Sequence, residues 1–183
     1  MAESKRSGRE IVVGVTGGIA AYKSAALVSD LVQSGNQVSV VMTEAAQKFV
    51  GSATFSALSG RPVATKVFDD RFPLGAHIEL AKRAELLCIA PATADAIAQI
   101  ANGFASDLLS TLYLCFTGKV IVAPAMNNEM WSKPSVQRNV QQLREYGVSF
   151  VGPAEGWLSC RERGFGRMES PEAIKAAIDS QHS

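Results

Sequence analysis

Apolar residues along this chain follow two alternating periods. Short runs rich in β-branched residues, IVVGVT at 11–16, QVSVVM at 37–42, ELLCIA at 85–90, KVIVA at 119–123 and VSFV at 148–151, have the length and composition of buried strands. Between them, apolar positions recur at helical spacing. Residues 19–34 read as a helix closed by Gly35, TEAAQKFV at 43–50 as a helix with Thr43 as N-cap, and HIELAKRAE as a helix opening at His77. PATADA at 91–96 starts another, with Thr93 as cap and Asp95 in its first turn, and NGFASDLLS at 102–110 restarts a helix with Ser106 and Asp107 as cap candidates. The alternation predicts an α/β fold whose parallel sheet is covered on both faces.

No repeat, low-complexity tract or linker divides the chain, so a single domain is expected over 10–181, behind a polar leader at 1–9. With 183 residues, 47% of them hydrophobic, the chain can bury one sizeable core. Two longer irregular stretches, 60–76 and 152–171, hold polar residues of interest. The charge is nearly balanced, 18 basic against 17 acidic residues for a net +1, which gives little support to a nucleic-acid or membrane-surface role. The leader has no apolar signal core, and every later apolar run is broken well short of a membrane span, so a cytoplasmic protein is expected. Cys88, Cys115 and Cys160 are widely spaced, and no CxxC or Cys/His cluster occurs. Neither a disulfide framework nor a metal site is expected. Cys88 and Cys115 sit in apolar contexts and read as small buried hydrophobes.

In open α/β sheets ligands bind beyond the carboxyl ends of the strands, where loops meet helix N-termini. That rule selects TGGIAAYK, PATAD, PAMNNEMW and the approach to Thr43. Gly17 and Gly18 lie between strand and helix, where backbone amides can face an anion such as phosphate; a plain turn is the alternative. The dinucleotide pattern GxGxxG is not met, although Glu44 after the second strand could still hold a ribose. PAMNNEMW at 124–131 puts a carboxamide, thioethers and an indole at the end of a buried strand. A buried asparagine has several hydrogen-bonding sites to satisfy, so a ligand is expected there. His77 is placed to exchange a proton near neutral pH, or is simply a polar surface residue. GWLSCRERGFGRM at 156–168 sets Cys160 among arginines that could lower its thiol pKa; an incidental surface thiol is the alternative.

Taken in order, TGGIAAYK, HIEL, PATAD, PAMNNEMW and SCRERGFGRM resemble the flavin-containing cysteine decarboxylases, most closely those that act on phosphopantothenoylcysteine in coenzyme A synthesis. The resemblance implies a flavodoxin-like, Rossmann-like three-layer sandwich that binds FMN at a subunit interface, in trimers or multiples of trimers. By motif position, Gly17, Gly18, Ile19 and Ala20 would meet the flavin phosphate, with Thr43, Glu44 and Ala45 beside it. Thr93, Ala94, Asp95 and Ala96, with Ser106 and Ala125, would complete the cofactor site. Asn127 would grip the substrate carboxylate over the flavin, while Met126, Met130 and Trp131 shape the pocket. A carboxamide suits a carboxylate that must leave, because a cationic clamp would stabilise the ground state.

The implied reaction oxidises the cysteinyl CH2–SH to a thioaldehyde, loses carbon dioxide to give an enethiolate, and reduces that product again. His77 would handle the first proton and Cys160 would supply the last. Trp157, Ser159 and Met168 would contact substrate from a flap over 152–170, and Lys82, with Lys23 a weaker candidate, would meet the substrate phosphate. The chain has Asp95 where relatives often have Asn, and Arg161 where many have Gly. Bacterial relatives are commonly fused to a synthetase, so a separate synthetase is an expected partner. The rival readings are a decarboxylase of peptide C-terminal cysteines, a flavin prenyltransferase, a non-catalytic regulatory subunit and an NAD-linked oxidoreductase.

Overall fold

Strand residues alternate between two cores. In β1 (Glu10–Val15), Ile11, Val13 and Val15 face one apolar cluster while Val12 faces the other. The same division holds in β3 (Leu86–Ala92), where Leu86, Cys88 and Ala90 oppose Leu87, Ile89 and Ala92. Strands buried on both faces carry continuous apolar runs, which is why these segments lack polar alternation. With β2 (Gln37–Met42), β4 (Lys119–Pro124) and the short β5 (Ser149–Phe150), they form one parallel sheet in the order β2-β1-β3-β4-β5. That is the flavodoxin-like doubly wound order, with its switch point between β1 and β3. The computed structural model describes residues 8–159 and 161–181.

Helices α1 (Ala21–Gln33), α2 (Ser52–Ser59) and α8 (Pro171–Ser180) cover one face through Leu27, Phe55 and Ile174. The other face carries α3 (Ala76–Arg83), α4 (Ala94–Ala101), α5 (Leu108–Cys115) and α7 (Pro134–Glu145), through Leu80, Ile97, Leu112 and Leu143. A five-residue helix, α6 (Asn128–Ser132), follows β4 directly. α1 ends as expected at Gly35, whose N–H donates to the Val32 carbonyl at 2.9 Å. At the opposite end of the sheet from the candidate ligand loops, Arg61 grips Glu10 through both guanidinium nitrogens, at 2.7 and 2.8 Å. Among the described residues no helix is long and apolar enough to cross a membrane.

Three expectations change. Residues 43–50 do not form an α-helix. Thr43 does accept the Ala46 N–H at 3.2 Å, but only a 3-10 turn, Ala46–Lys48, follows. Gly51 is extended at φ −69° and ψ 143°, and the helix starts after it, as α2. Cys115 is exposed rather than buried. Leu108, Leu109 and Leu112 are buried, Tyr113 and Phe116 pack beside them, and Leu114 and Cys115 lie off that face; a segment so uniformly apolar gives no periodicity from which to read its buried side. The stretch read as irregular over 152–171 contains an antiparallel hairpin, β6 (Ala154–Trp157) and β7 (Arg163–Arg167).

Candidate active site

At the switch point the loops after β1 and β3 diverge, one into α1 and the other into α4. Thr16 joins them. It is 1% exposed; its hydroxyl donates to the Pro91 carbonyl at 2.7 Å and accepts the Thr93 N–H at 3.0 Å. Ser24, one turn into α1, adds a donation to the Ala90 carbonyl at 2.6 Å. Gly17 lies against Ala45 so closely that a Cβ at 17 would overlap the Ala45 side chain, which brings the loops after β1 and β2 into contact. Ala20, the N-cap residue of α1, supplies no side-chain cap, and among the described residues no hydrogen bond uses the N–H of Ile19 or Ala20. Uncapped helix amides of this kind attract an anion.

Two adjoining cavities open here. The first, about 520 Å³, is lined by Gly17, Thr43, Glu44, Ala45, Thr93, Ala94, Asp95, Ala96 and Ser106. Thr93 caps α4, accepting the Ala96 N–H at 3.2 Å. Ser106 does not cap α5; Asp107 does, accepting the Ser110 N–H at 2.7 Å. The Ser106 hydroxyl instead donates to Gln99 Oε1 at 3.0 Å, and Gln99 Nε2 donates to Asp95 at 2.8 Å. The Asp95 carboxylate is thereby held as an acceptor within the wall of the cavity.

The second cavity, about 560 Å³, shares Gly17, Thr93, Ala94 and Met130 with the first. Gly18, Ile19, Ala20, Ala125, Met126, Asn127, Trp157, Ser159 and Met168 also line it. Asn127 lies at the junction of β4 with α6 and caps that helix, its Oδ1 accepting the N–H groups of Glu129 at 2.8 Å and Met130 at 3.4 Å. With the carboxamide oxygen used as a cap, the polarity it offers a ligand is that of a donor. The β6–β7 hairpin is fastened to this junction: the Met126 N–H donates to the Gly166 carbonyl at 2.9 Å, and a Cβ at Gly166 would overlap the Met126 carbonyl. Between β6 and β7, Arg161 has a left-handed φ of 66°, a conformation costing a non-glycine residue about 1 kcal/mol. That explains physically why glycine suits this position.

The two cavities thus gather most of the residues singled out from the sequence, with exceptions. His77 and Lys82 line neither. Both are on α3; Lys82 is exposed, and His77 lies over Gly75 with Nδ1 shielded from solvent and, among the described residues, without a hydrogen-bond partner. Within one chain, therefore, His77 does not meet Asn127. Trp131 does not shape the pocket but packs into the core beside α7, its carbonyl accepting Gln137 Nε2 at 2.5 Å. Cys160 lies outside the described residues. Sequence reasoning missed Tyr22, Leu158 and Arg167 and ranked Lys23 low, yet all four line the second cavity. Tyr22 and Lys23 lie one turn beyond Ile19 in the same motif, so helical spacing could have placed them. Burial, followed by the nearby Arg167 charge, pushes the Lys23 ammonium below the usual lysine value. Among the described residues no group of three or more His, Cys, Asp or Glu is placed to hold a metal ion.

The whole chain, residues 1–183, matches the Flavoprotein family. It is 47% identical over 167 residues to the coenzyme A biosynthesis bifunctional protein CoaBC of Bacillus subtilis, covering 91% of this chain and 41% of that protein. For the protein of the same name from Vibrio cholerae the identity is 46% over 175 residues, covering 95% of this chain and 44% of that protein. The chain therefore spans less than half the length of these curated relatives. Among solved structures, a PPC decarboxylase mutant complexed with pantothenoylaminoethenethiol superposes with a TM-score of 0.84 at 25% identity, over 94% of this chain and 97% of that one. The FMN-dependent cysteine decarboxylase SpaF gives 0.79 at 33% identity, over 94% and 98%. A family match along its whole length, on a flavodoxin-like sheet whose switch point opens into paired cavities, shows that this chain belongs to the flavoprotein family.

Proposed function

We propose that the protein is an FMN-dependent decarboxylase that converts 4'-phosphopantothenoylcysteine to 4'-phosphopantetheine in coenzyme A synthesis. The observation that carries this reading is Asn127 at the end of β4, capping α6 in the wall of a cavity that adjoins the one at the switch point. The names of the similar proteins point the same way. The chain's residues suit the cofactor: the uncapped Ile19 and Ala20 amides and the Thr43 hydroxyl fit a phosphate, while Gly17, Ala45, Ala94 and Ala96 leave room for a flat ring. FMN, when bound, would supply the reversible two-electron chemistry that makes the cysteine carboxylate able to depart.

The chain's own part is orientation and proton handling. Asn127 donates to the substrate carboxylate, and a neutral donor holds that group without the ground-state stabilisation of a full cation. Met126, Trp157, Ser159 and Met168 enclose the substrate and exclude water. Cys160, which falls between β6 and β7 in the sequence, delivers the final proton to the enethiol carbon.

His77 completes the site from a neighbouring copy in a homo-oligomer, a trimer or multiple of trimers. Support comes from its separation from the cavities within one chain, and from exposed apolar residues beside them, Ile19, Tyr22 and Trp157. Lys82, on the same helix, would reach the site in the same way. The curated relatives are named bifunctional, which supports a phosphopantothenoylcysteine synthetase acting beside this activity in the cytoplasm.

The deciding experiment is anaerobic incubation of FMN-loaded protein with 4'-phosphopantothenoylcysteine, following carbon dioxide and product mass. Wild type should release carbon dioxide and 4'-phosphopantetheine; Cys160→Ser should yield a product lighter by H2, up to one equivalent per flavin, with the two electrons left on the flavin. Absence of carbon dioxide from flavin-loaded wild type would sink the proposal, and its release from a peptide with a C-terminal cysteine instead would transfer the assignment to that substrate class.

A further inference from the structure

The second cavity contains two cations for which the decarboxylation step has no use. Lys23 comes from the first turn of α1 and Arg167 from the end of β7. Lys23 is partly buried, its Nζ donating to the Met168 carbonyl at 3.0 Å. The Arg167 guanidinium lies across β6 at Gly156, where an added Cβ would come within 3.0 Å of Cζ, Nε and Nη1. The missing side chain at 156 provides its seat. Among the described residues neither cation enters an ion pair. Like charges drawn into one cavity oppose each other; the carboxylates of Glu169 and Glu172 offset only part of the burial and Arg167 effects on Lys23.

We infer that Lys23 and Arg167 form an anion subsite for a phosphomonoester. In the proposed reaction it takes the phosphate end of the substrate while Asn127 takes the carboxylate. The identity of that ligand rests on the decarboxylase reading; the subsite itself does not. A phosphomonoester carries up to two charges and several acceptor oxygens at neutral pH, which matches a guanidinium fork beside an ammonium better than a single carboxylate would. The assignment also moves phosphate recognition from Lys82, which is outside this cavity, to residues of the chain that carries Asn127. Specificity for a phosphorylated substrate would then depend on the end of β7 lying beside α1, where Lys23 meets the Met168 carbonyl.

Calorimetric titration of flavin-loaded protein with 4'-phosphopantetheine and with pantetheine tests this without turnover. Wild type should prefer the phosphorylated ligand by about tenfold or more, the effect of charge-assisted hydrogen bonds to the phosphate. Lys23→Gln and Arg167→Gln should each reduce the ratio, the double variant should bring it close to one, and Arg167→Lys should keep more of it than Arg167→Gln. A wild-type ratio near one, or a preference that survives the double variant, overturns the subsite. A wild type that shows the preference yet releases no carbon dioxide from 4'-phosphopantothenoylcysteine removes the decarboxylase reading and leaves the subsite standing.

Discussion

Asn127 caps α6 and, in the proposed reaction, grips the substrate carboxylate, and a single substitution can separate the two. Its Oδ1 caps α6, and aspartate caps a helix as well as asparagine does. Asn127→Asp should therefore fold with no drop in melting temperature, while losing about 100-fold or more in carbon dioxide release, as when one preorganised donor is removed. Full activity in that variant would dismiss the carboxylate grip. Cys88 gives a prediction of a different kind. Burial in the sheet pushes its thiol up to about 12, so alkylation of the folded protein at pH 8 should label exposed Cys115 and spare Cys88 until denaturant is added. Because the raised value belongs to the folded state, the native protein holds this proton longer than the unfolded chain does. Its contribution to stability is complete below the ordinary thiol value of 9.0 and is lost as pH rises towards about 12, at up to about 1.4 kcal/mol per pH unit. Cys88→Ala should flatten that part of the stability profile; an unchanged slope would show that other groups set it.

At the scale of elements, the Thr16 hydroxyl is the group that both gives and takes a hydrogen bond between the loops after β1 and β3. Thr16→Val keeps the shape but removes the donor to Pro91 and the acceptor for the Thr93 N–H, in a place almost closed to water. The Pro91 carbonyl keeps the Thr16 backbone N–H at 3.3 Å, but leaving the Thr93 N–H unpaired costs about 1–3 kcal/mol. For a chain of this size the melting temperature should fall by about 2–4 °C per kcal/mol. Flavin retention should fall as well, because Thr93 both caps α4 and lines the two cavities. Scanning calorimetry and flavin absorbance after gel filtration measure the two effects. A Thr16→Val variant as stable and as yellow as wild type would mean that the loops hold their positions without the Thr16 hydroxyl.

For the whole molecule, the separation of His77 from Asn127 within one chain is why the proposed reaction calls for an assembly. If each site takes His77 from one copy and Asn127 from the next, two inactive variants should rescue each other. Mixing unfolded His77→Asn and Asn127→Asp chains in equal amounts and refolding them together should restore about a quarter of wild-type activity, the share of intact interfaces in random rings of a cyclic assembly. No recovery, from a mixture shown by light scattering to be oligomeric, would place both groups in a single chain's site.

Local chemistry alone determines a large part of this protein. The β-branched runs, the caps at Thr93 and Asp107, and the glycine-containing turn after β1 each depend on residues a few positions apart, and their chemistry decides them before any tertiary contact forms. The ordered motifs named a family and thirteen cofactor positions, all of which line the paired cavities. Where the sequence failed, the deciding contact joined distant parts of the chain. Thr16 matters because β3 lies beside β1, Arg167 because the end of β7 comes beside Lys23 of α1, and Cys115 is exposed because it lies off the packed face of α5. Local periodicity carries no information about which loops share a sheet end. Strand order and register are properties of the closed core, and they brought Lys23, Asn127 and Arg167 to one cavity while leaving His77 outside it.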